Sequence, residues 1–319
     1  MAEKLQLNHP WMVAVWPGMG HVALNAGVYL LAKLGMTEFA EFEAADLFDI
    51  DQVEVKDGLL QPTRRPRSRF FVRTDPEGKH DLVVFVGEAQ PPVGKYTFCR
   101  RLVGVARELG VERVFTFAAM ATRMHPEHES RVFGAATDQV NLDELKRLEL
   151  DILDDGHIGG LNGVLLGAAA EAGLQGACLL GEMPHIFAQV PFPKASHAIL
   201  DVFATVAGID LDLTELAEQA RTVDEQLGQI LARVEEQYGK GDQAEEEEEE
   251  EEESPDEGAE AAAEPTPPRQ SSTRRRIDEL FESAAKDRSK AFELKQVLDR
   301  LGLFAEYEDR FLDLFKKAE

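Results

Sequence analysis

The sequence predicts an α/β fold: a three-layer α/β/α sandwich around a mainly parallel or mixed sheet, followed by a C-terminal helical hairpin. Two observations support this fold class. Short β-rich runs alternate with helix-length segments over the first 238 residues, as in sheets that are covered by helices. Several of these runs are apolar at both odd and even positions, which is typical of strands that are buried on both faces.

Six strands and four helices are predicted in this first part of the chain. The strands are residues 11–16, 38–44, 69–73, 81–86, 112–118 and 176–180. The helices are residues 21–34, 95–109, 161–172 and 194–207. A long helix should follow, because apolar residues from Leu213 to Val234 recur at alternating steps of three and four. This stripe either packs on its own domain or forms an oligomer seam through Leu216, Val223, Leu227, Ile230 and Val234.

Two further parts follow this domain, which is predicted to span residues 1–238. Residues 239–273 contain no aromatic residue and no Leu, Ile or Val, and 14 acidic residues lie between Asp242 and Glu264. Such a segment cannot bury enough apolar surface to fold, so it is predicted to be a disordered linker. Residues 274–319 have apolar residues at helical spacing, interrupted at Gly302, and predict the helical hairpin. A piece this small must dock on the main domain, pair with a copy of itself or fold on a partner.

The charge and the composition exclude several classes of protein. The chain has 34 Lys and Arg against 60 Asp and Glu, a net charge of −26, which argues against a nucleic-acid-binding protein. The first residues lack the apolar stretch of a signal peptide, and no window approaches 18 uninterrupted apolar residues. Cys99 and Cys178 stand far apart without a C-x-x-C motif. These features predict a cytoplasmic protein with no membrane contact and with reduced thiols.

A glycine-rich turn follows the first predicted strand. Gly18, Gly20 and Ala23 match the G-x-G-x-x-A pattern of dinucleotide-binding folds, with Glu41 and Glu43 where a ribose-binding acid would lie. The simpler interpretation is that the glycines let the chain turn sharply from strand to helix. Both interpretations stay open at the level of the sequence.

Three other turns carry polar residues where strands end or helices begin. Because the carboxyl ends of parallel strands meet at one sheet edge, these turns should converge on a ligand-binding crevice. The candidate crevice residues are Gly18, Gly20, Glu88, Gln90, Asn162, Gly163 and Glu182. Glu88 and Glu182 either form a carboxylate pair for acid–base chemistry or cation binding, or bond to helix N-termini and loop amides.

No catalytic residue, metal site or cofactor is predicted. The phosphate-binding motif G-x-x-x-x-G-K-[ST] and the nucleophile motif G-x-S-x-G are both absent from the sequence. His125 and His128 lie three residues apart, but no further ligand has recognisable spacing.

Four motifs together resemble the proteasome assembly chaperone family over about residues 10–238. They are Pro-Gly-Met-Gly at 17–20, Gly-Glu-Ala-Gln-Pro at 87–91, Asn-Gly at 162–163 and Gly-Glu-Met-Pro-His at 181–185. The resemblance implies an α/β/α fold similar to nucleoside phosphorylases, a homo-oligomer with a trimer favoured, and binding to proteasome subunits. Archaeal members that dock on proteasome rings end in hydrophobic-Tyr-any, whereas this chain ends in Lys317-Ala318-Glu319.

The sequence therefore leaves three functions open. The favoured one is a non-enzymatic, chaperone-like scaffold that binds a protein client, with the proteasome as the client class that the resemblance implies. The alternative is an enzyme or sensor that binds a nucleoside or nucleotide in the crevice. The third is a dinucleotide-dependent enzyme, which depends on the G-x-G-x-x-A match alone.

Overall fold

The computed structural model describes residues 6–49, 53, 55–56, 58–244 and 270–316. Its strands are β1 (Trp11–Val15), β2 (Thr37–Glu41), β3 (Val55–Lys56), β4 (Leu59–Leu60), β5 (Ser68–Arg73), β6 (Leu82–Gly87), β7 (Arg113–Thr122), β8 (Val132–Ala136), β9 (Asp151–Ile152) and β10 (Gln175–Pro184). Its helices are α1 (Val22–Lys33), α2 (Lys95–Glu108), α3 (Gln139–Arg147), α4 (Gly160–Glu171), α5 (Pro193–Ala207), α6 (Thr214–Ala244), α7 (Gln270–Lys286), α8 (Ala291–Arg300) and α9 (Phe304–Asp313).

Eight of the strands form one mixed sheet in the order β2-β5-β6-β1-β7-β10-β8-β9, while β3 and β4 form a separate hairpin. The four central strands β6, β1, β7 and β10 are parallel, and the register places Val13 of β1 between Val84 and Phe115. Towards the edges, β5 is antiparallel to β6, β2 to β5, and β8 to β10. The sequence predicts a mainly parallel or mixed sheet, and the sheet is mixed.

Helices cover both faces of this sheet. Alternate residues of β1 enter two separate cores: Val13 and Val15 pack with residues of α1 and α5, whereas Met12 and Ala14 pack with residues of α2 and α4. The period of two in side-chain direction therefore explains why this strand is apolar at every position. The predicted three-layer α/β/α architecture is confirmed.

Local signals set the helix ends. Pro193 occupies the first turn of α5, and Gly208 ends that helix in the left-handed region with φ of 60°. Asp138 caps α3, because its Oδ1 accepts the N–H of Asn141 at 3.0 Å.

Several element boundaries differ from the sequence-based prediction. β7 and β10 extend to Thr122 and Pro184, so Glu182 lies inside β10 and pairs with Met120 rather than following the end of a strand. β8, β9 and α3 lie where the pattern predicts no element, because they are short and only partly buried. A continuous apolar run is the sequence signal that predicts a central strand, and these peripheral elements lack such a run.

The heptad stripe of α6 packs on its own domain over its first half. Leu216 is fully buried and Leu227 is 4% exposed, and both belong to the core that α5 also lines. Val223 is partly buried against that core, whereas Ile230 is 49% exposed. The side chain of Val234 lies outside the described part of the chain. Among the seam residues whose side chains are described, Ile230 is thus the most exposed.

Residues 270–316, the C-terminal segment, form three helices where the sequence predicts a hairpin of two. Asp287 interrupts the run between α7 and α8, because its Oδ1 accepts the N–H of Ser289 at 3.1 Å. The segment docks on the main domain, which is one of the three possibilities that the sequence leaves open. Tyr29 of α1 packs edge-on against Phe292, with ring centroids 4.5 Å apart.

The predicted linker is bounded by longer helices than expected. α6 continues to Ala244 and α7 begins at Gln270, so both ends of the 239–273 range are helical. The remaining residues of the predicted linker, 245–269, lie outside the described residues. Within the described part of the chain, no helix is long and apolar enough to cross a lipid bilayer.

Candidate functional site

Gln90 ties together three of the turns that the sequence places at the carboxyl edge of the sheet. Its Nε2 donates to the carbonyl oxygen of Pro17 at 3.2 Å, in the turn after β1. Its Oε1 accepts the N–H of Leu161 at 3.2 Å, in the first turn of α4. Because Gln90 itself follows β6, the turns that carry Gly18, Gln90 and the start of α4 meet at one edge.

The glycine turn after β1 is held by the loop that follows β10. The N–H of Gly20 donates to Ala188 O at 2.8 Å, and its carbonyl accepts the N–H of Phe192 at 2.9 Å. Gly20 has φ of 59°, and a Cβ there would lie 2.7 Å from the Sδ of Met183. The glycine is therefore required for backbone shape and close packing, while Gly18 has open space around it.

The strand order contradicts the dinucleotide interpretation. In dinucleotide-binding folds the acidic residue ends the strand beside the glycine turn. Here the neighbours of β1 are β6 and β7, and β2, which carries Glu41, lies at the far edge of the sheet. Glu41 instead accepts a hydrogen bond from Arg67 at 2.6 Å.

The start of α4 is shaped by backbone contacts. A Cβ on Gly163 would lie 2.0 Å from the carbonyl oxygen of Ile158, so this position admits only glycine. The carbonyl of the neighbouring Asn162 accepts a long hydrogen bond of 3.5 Å from the Thr116 hydroxyl. Gly163 thus serves the packing of the helix entry.

Glu88, just beyond β6, is buried in a cluster of arginines. Its side chain is 7% exposed and accepts from Arg64 Nη2 at 2.7 Å, while its Oε2 also accepts the backbone N–H of Arg67 at 2.8 Å. Burial raises the pKa of Glu88 to about 7; the backbone N–H of Arg67 and the charge of Arg64 oppose this shift, whereas Asp309 adds to it.

Glu182 belongs to a different cluster. Its carboxylate accepts from Arg131 Nε at 2.8 Å and Nη2 at 2.9 Å and from the Thr122 hydroxyl at 2.7 Å. The hydrogen bonds from Arg131 hold the pKa of Glu182 below its ordinary value. This carboxylate is thus a stable anion within an ion pair.

The two glutamates do not form the carboxylate pair that the sequence suggests. β6 and β10 are separated by β1 and β7, so three inter-strand spacings place these strands roughly 14 Å apart. Glu88 and Glu182 each have their own arginine partners. Among the described residues, no three His, Cys, Asp or Glu side chains are placed to hold a metal ion.

Residues 12–231 match the model of the PAC2 family. The chain belongs to the PAC2 family. An uncharacterized protein of Methanocaldococcus jannaschii is 30% identical to it over 245 residues, which cover 75% of this chain and 89% of that protein.

Solved structures share the fold. PbaB of Pyrococcus furiosus, an archaeal proteasome activator, is 25% identical with a TM-score of 0.61, over 73% of this chain and 96% of PbaB. A proteasome-assembly chaperone homologue of Mycobacterium tuberculosis, 22% identical, has the same fold with a TM-score of 0.60 over 69% of this chain and 94% of its own. The resemblance to the proteasome assembly chaperone family is confirmed.

In this PAC2 protein, the C-terminal segment lies beyond the family match and contributes to the Glu88 cluster. Asp309 accepts from Arg64 at 2.6 Å and bonds to Arg69, and Asp313 accepts from Arg69 at 2.9 Å. The run of arginines from 64 to 69 is the one local sign of this cluster. Its partners lie 240 residues further along the chain, so sequence patterns do not pair them.

Proposed function

We propose that this PAC2 protein is a non-enzymatic, chaperone-like scaffold that binds a proteasome-related protein client in the cytoplasm. One observation carries the proposal: this chain matches 96% of the length of PbaB, an archaeal proteasome activator, at 25% identity. A shared fold does not by itself define a function, so the contacts of the site are the second line of support.

The polar side chains at the sheet edge support binding rather than turnover. Glu88 and Glu182 are each held by arginines, and both ends of the Gln90 amide are bonded to backbone groups. These contacts account for all three side chains without a ligand. These contacts favour the scaffold over the nucleoside-binding alternative.

The hairpin of β3 and β4 supplies an apolar surface for a protein contact. Val55 is 62% exposed, Leu59 is 69% exposed and Leu60 is 74% exposed. Neighbouring apolar side chains that are exposed together are typical of protein–protein interfaces.

Binding to the proteasome is the decisive test. Purified full-length chain is mixed with the proteasome of the source organism, or with its separate subunits, and complexes are detected by size-exclusion chromatography and native mass spectrometry. We expect a complex, and we expect Leu59→Ser/Leu60→Ser to weaken it at least tenfold because two apolar anchors are lost. Val93→Ser/Val140→Ser, at valines that are 68% and 66% exposed elsewhere, is the matched control. If the wild-type chain forms no complex with assembled or separate subunits, the proposed client is wrong.

We also propose that the protein forms a homo-oligomer, with a trimer favoured, through the exposed part of α6. Ile230, 49% exposed, continues the apolar stripe whose first half is buried within the chain. Light scattering should give a mass three times that of one chain, reduced by Ile230→Asn but not by Val140→Asn. A monomeric wild-type chain at micromolar concentration would contradict this proposal.

A further inference from the structure

The C-terminal segment covers one face of β5 and the edge strand β2. Phe315 packs edge-on against Phe71 of β5, with ring centroids 6.1 Å apart. The N–H of Glu38 in β2 donates to the carbonyl oxygen of Phe315 at 2.7 Å. Phe71 shares its core with α1. The preceding residue of β5, Phe70, faces the other way and packs in the opposite core. The segment thus lies on the α1 side of the sheet and also contacts α1 through Tyr29 and Phe292.

Charges lie beside these aromatic contacts in a complementary pattern. The domain presents Arg64, Arg67, Arg69 and Phe71, which we call the arginine face. Arg69 is fully buried under the segment, and its Nη1 donates to Asp313 at 2.9 Å. α9 and the turn after it bring acids and phenylalanines alternately, in the order Asp309, Phe311, Asp313 and Phe315. The arginine face therefore fits a helix in which each acid is followed two residues later by a phenylalanine.

The same interface contains buried polar atoms that have no hydrogen-bond partner within the described residues. They are His21 Nδ1, Asn25 Nδ2, Glu38 Oε2, Arg69 Nε, Asp299 Oδ1 and Glu308 Oε1. A buried polar atom without a hydrogen bond costs about 1–3 kcal/mol, and release of the segment returns each of them to water. These unpaired atoms oppose the apolar packing of the segment, whose Phe292, Phe311 and Phe315 lie in the main core, and so lower the free energy needed to release it.

The family match covers the domain and stops before the segment. The match ends at residue 231, and 73% of this chain suffices to cover 96% of PbaB. Residues 245–269 join the segment to α6, and any chain of 25 residues spans at most about 85 Å. The chain connection therefore permits release of the segment while keeping it close to the domain.

From this geometry we propose that the arginine face is a docking surface for an acidic, phenylalanine-bearing helix of a partner protein, and that the C-terminal segment is its built-in competitor. The inference rests on the proposed function, because it names the surface and the chemistry of the client. A partner helix with the same spacing of acids and phenylalanines displaces the segment and makes the same ion pairs with Arg64 and Arg69.

Peptide binding to the full-length chain tests the proposal. The probe is a fluorescent peptide with the sequence of residues 304–316, and its affinity is measured by fluorescence anisotropy. Asp309→Asn/Asp313→Asn weakens the docking of the chain's own segment. The peptide should therefore bind the double variant at least tenfold more tightly than the wild-type chain. Glu279→Gln/Glu282→Gln, at exposed positions of α7, is the matched control and should bind as the wild type does. Adding Arg69→Gln to the double variant should abolish the gain. Equal affinity for the wild-type chain and the double variant, or no effect of Arg69→Gln, would overturn the proposal.

A cut in the chain gives a second measurement that does not depend on the variants. A protease site is inserted within residues 245–269, and the cut protein is diluted to nanomolar concentration. We expect residues 270–319 to dissociate, since the tether no longer keeps them close. Retention of the cut segment at this dilution would show that it is a permanent part of the fold, and the competitor role would be wrong.

Two further outcomes separate this proposal from the proposed function. Peptide binding without any proteasome complex would support the arginine face as a docking surface and refute the proteasome as the client. A proteasome complex that is unchanged by Arg69→Gln would support the proposed client and refute the arginine face as its docking surface. An oligomer that dissociates in Asp309→Asn/Asp313→Asn would assign the face to the segment of a second copy, and would overturn the partner-protein claim.

Discussion

Glu308→Gln should stabilise the docked C-terminal segment, by an amount that grows with pH. Glu308 is 8% exposed, and it faces Glu88 and Asp309 as well as Lys295 and Arg64. Burial, and next the charge of Glu88, raise the pKa of Glu308 to about 8, although the two cations oppose the shift. Glutamine keeps the size of the protonated side chain and removes the charge that burial disfavours.

The magnitude follows from the difference between the docked and free states. Each pH unit between the ordinary value of 4.5 and the docked value of about 8 costs about 1.4 kcal/mol. A raised pKa means that the stability of the docked segment is complete below pH 4.5 and is lost as the pH rises to 8. Relative to Glu308→Gln, the wild-type segment should therefore lose about 1 kcal/mol at pH 5, about 3 kcal/mol at pH 7 and about 5 kcal/mol at pH 8.5.

Hydrogen exchange of the α8 and α9 amides measures the free energy of opening of the segment at these three pH values. The rates are corrected for the intrinsic pH dependence of exchange. Glu306→Gln is the matched control, because it makes the same change two residues away on the exposed side of α9. A gain in Glu308→Gln that is equal at pH 5 and pH 8.5, or a gain of the same size in Glu306→Gln, would refute the reasoning.

Three other measurements test the site and the core. Gln90→Ala should lower the free energy of unfolding by about 1–3 kcal/mol in urea titrations, because two bonds between turns are lost; an unchanged midpoint would contradict this. Arg131→Gln should lower Tm by roughly 2–4 °C at pH 7, since it removes the cation beside the buried carboxylate of Glu182. The depressed pKa of that carboxylate contributes stability above its ordinary value, so the effect should shrink at pH 4, and a loss that stays constant would be evidence against the ion pair. Burial raises the pKa of both Cys99 and Cys178 to about 12, so neither thiol should react with a thiol reagent at pH 8 until denaturant is added.

The central strands could be predicted because burial on both faces leaves a continuous apolar pattern. β6 is buried at every position, and its predicted range differs from the observed Leu82–Gly87 by one residue at each end. The extension of β10 to Pro184 could not be predicted, because Glu182 is an acid within a strand. Its burial depends on Arg131, a residue on another element that no local pattern connects to it.

The candidate site was predictable in its topology and not in its chemistry. Parallel strands bring their carboxyl ends to one edge, so the meeting of the glycine turn, Gln90 and the start of α4 follows from the strand pattern alone. The role of Glu88 depends on Asp309, which reaches it through the fold of a segment beyond the family domain. Local sequence indicates where polar residues gather, but it does not indicate which charges neutralise them.

Arg69 shows why the arginine face and the segment act as one unit. A guanidinium on a strand next to the sheet edge would ordinarily be hydrated, yet Arg69 is fully buried because α9 lies over it. Asp309 and Asp313 are its nearest carboxylates, whereas Glu38 and Glu88 of the domain lie 3.6 Å away, and a buried charge without partners costs several kcal/mol. Release of the whole segment exposes Arg69 to water, whereas neutralising the two acids leaves the cation buried with only the more distant Glu38 and Glu88. The docked state of the segment should therefore be sensitive to loss of its two acids, because charge as well as apolar packing holds it on the domain.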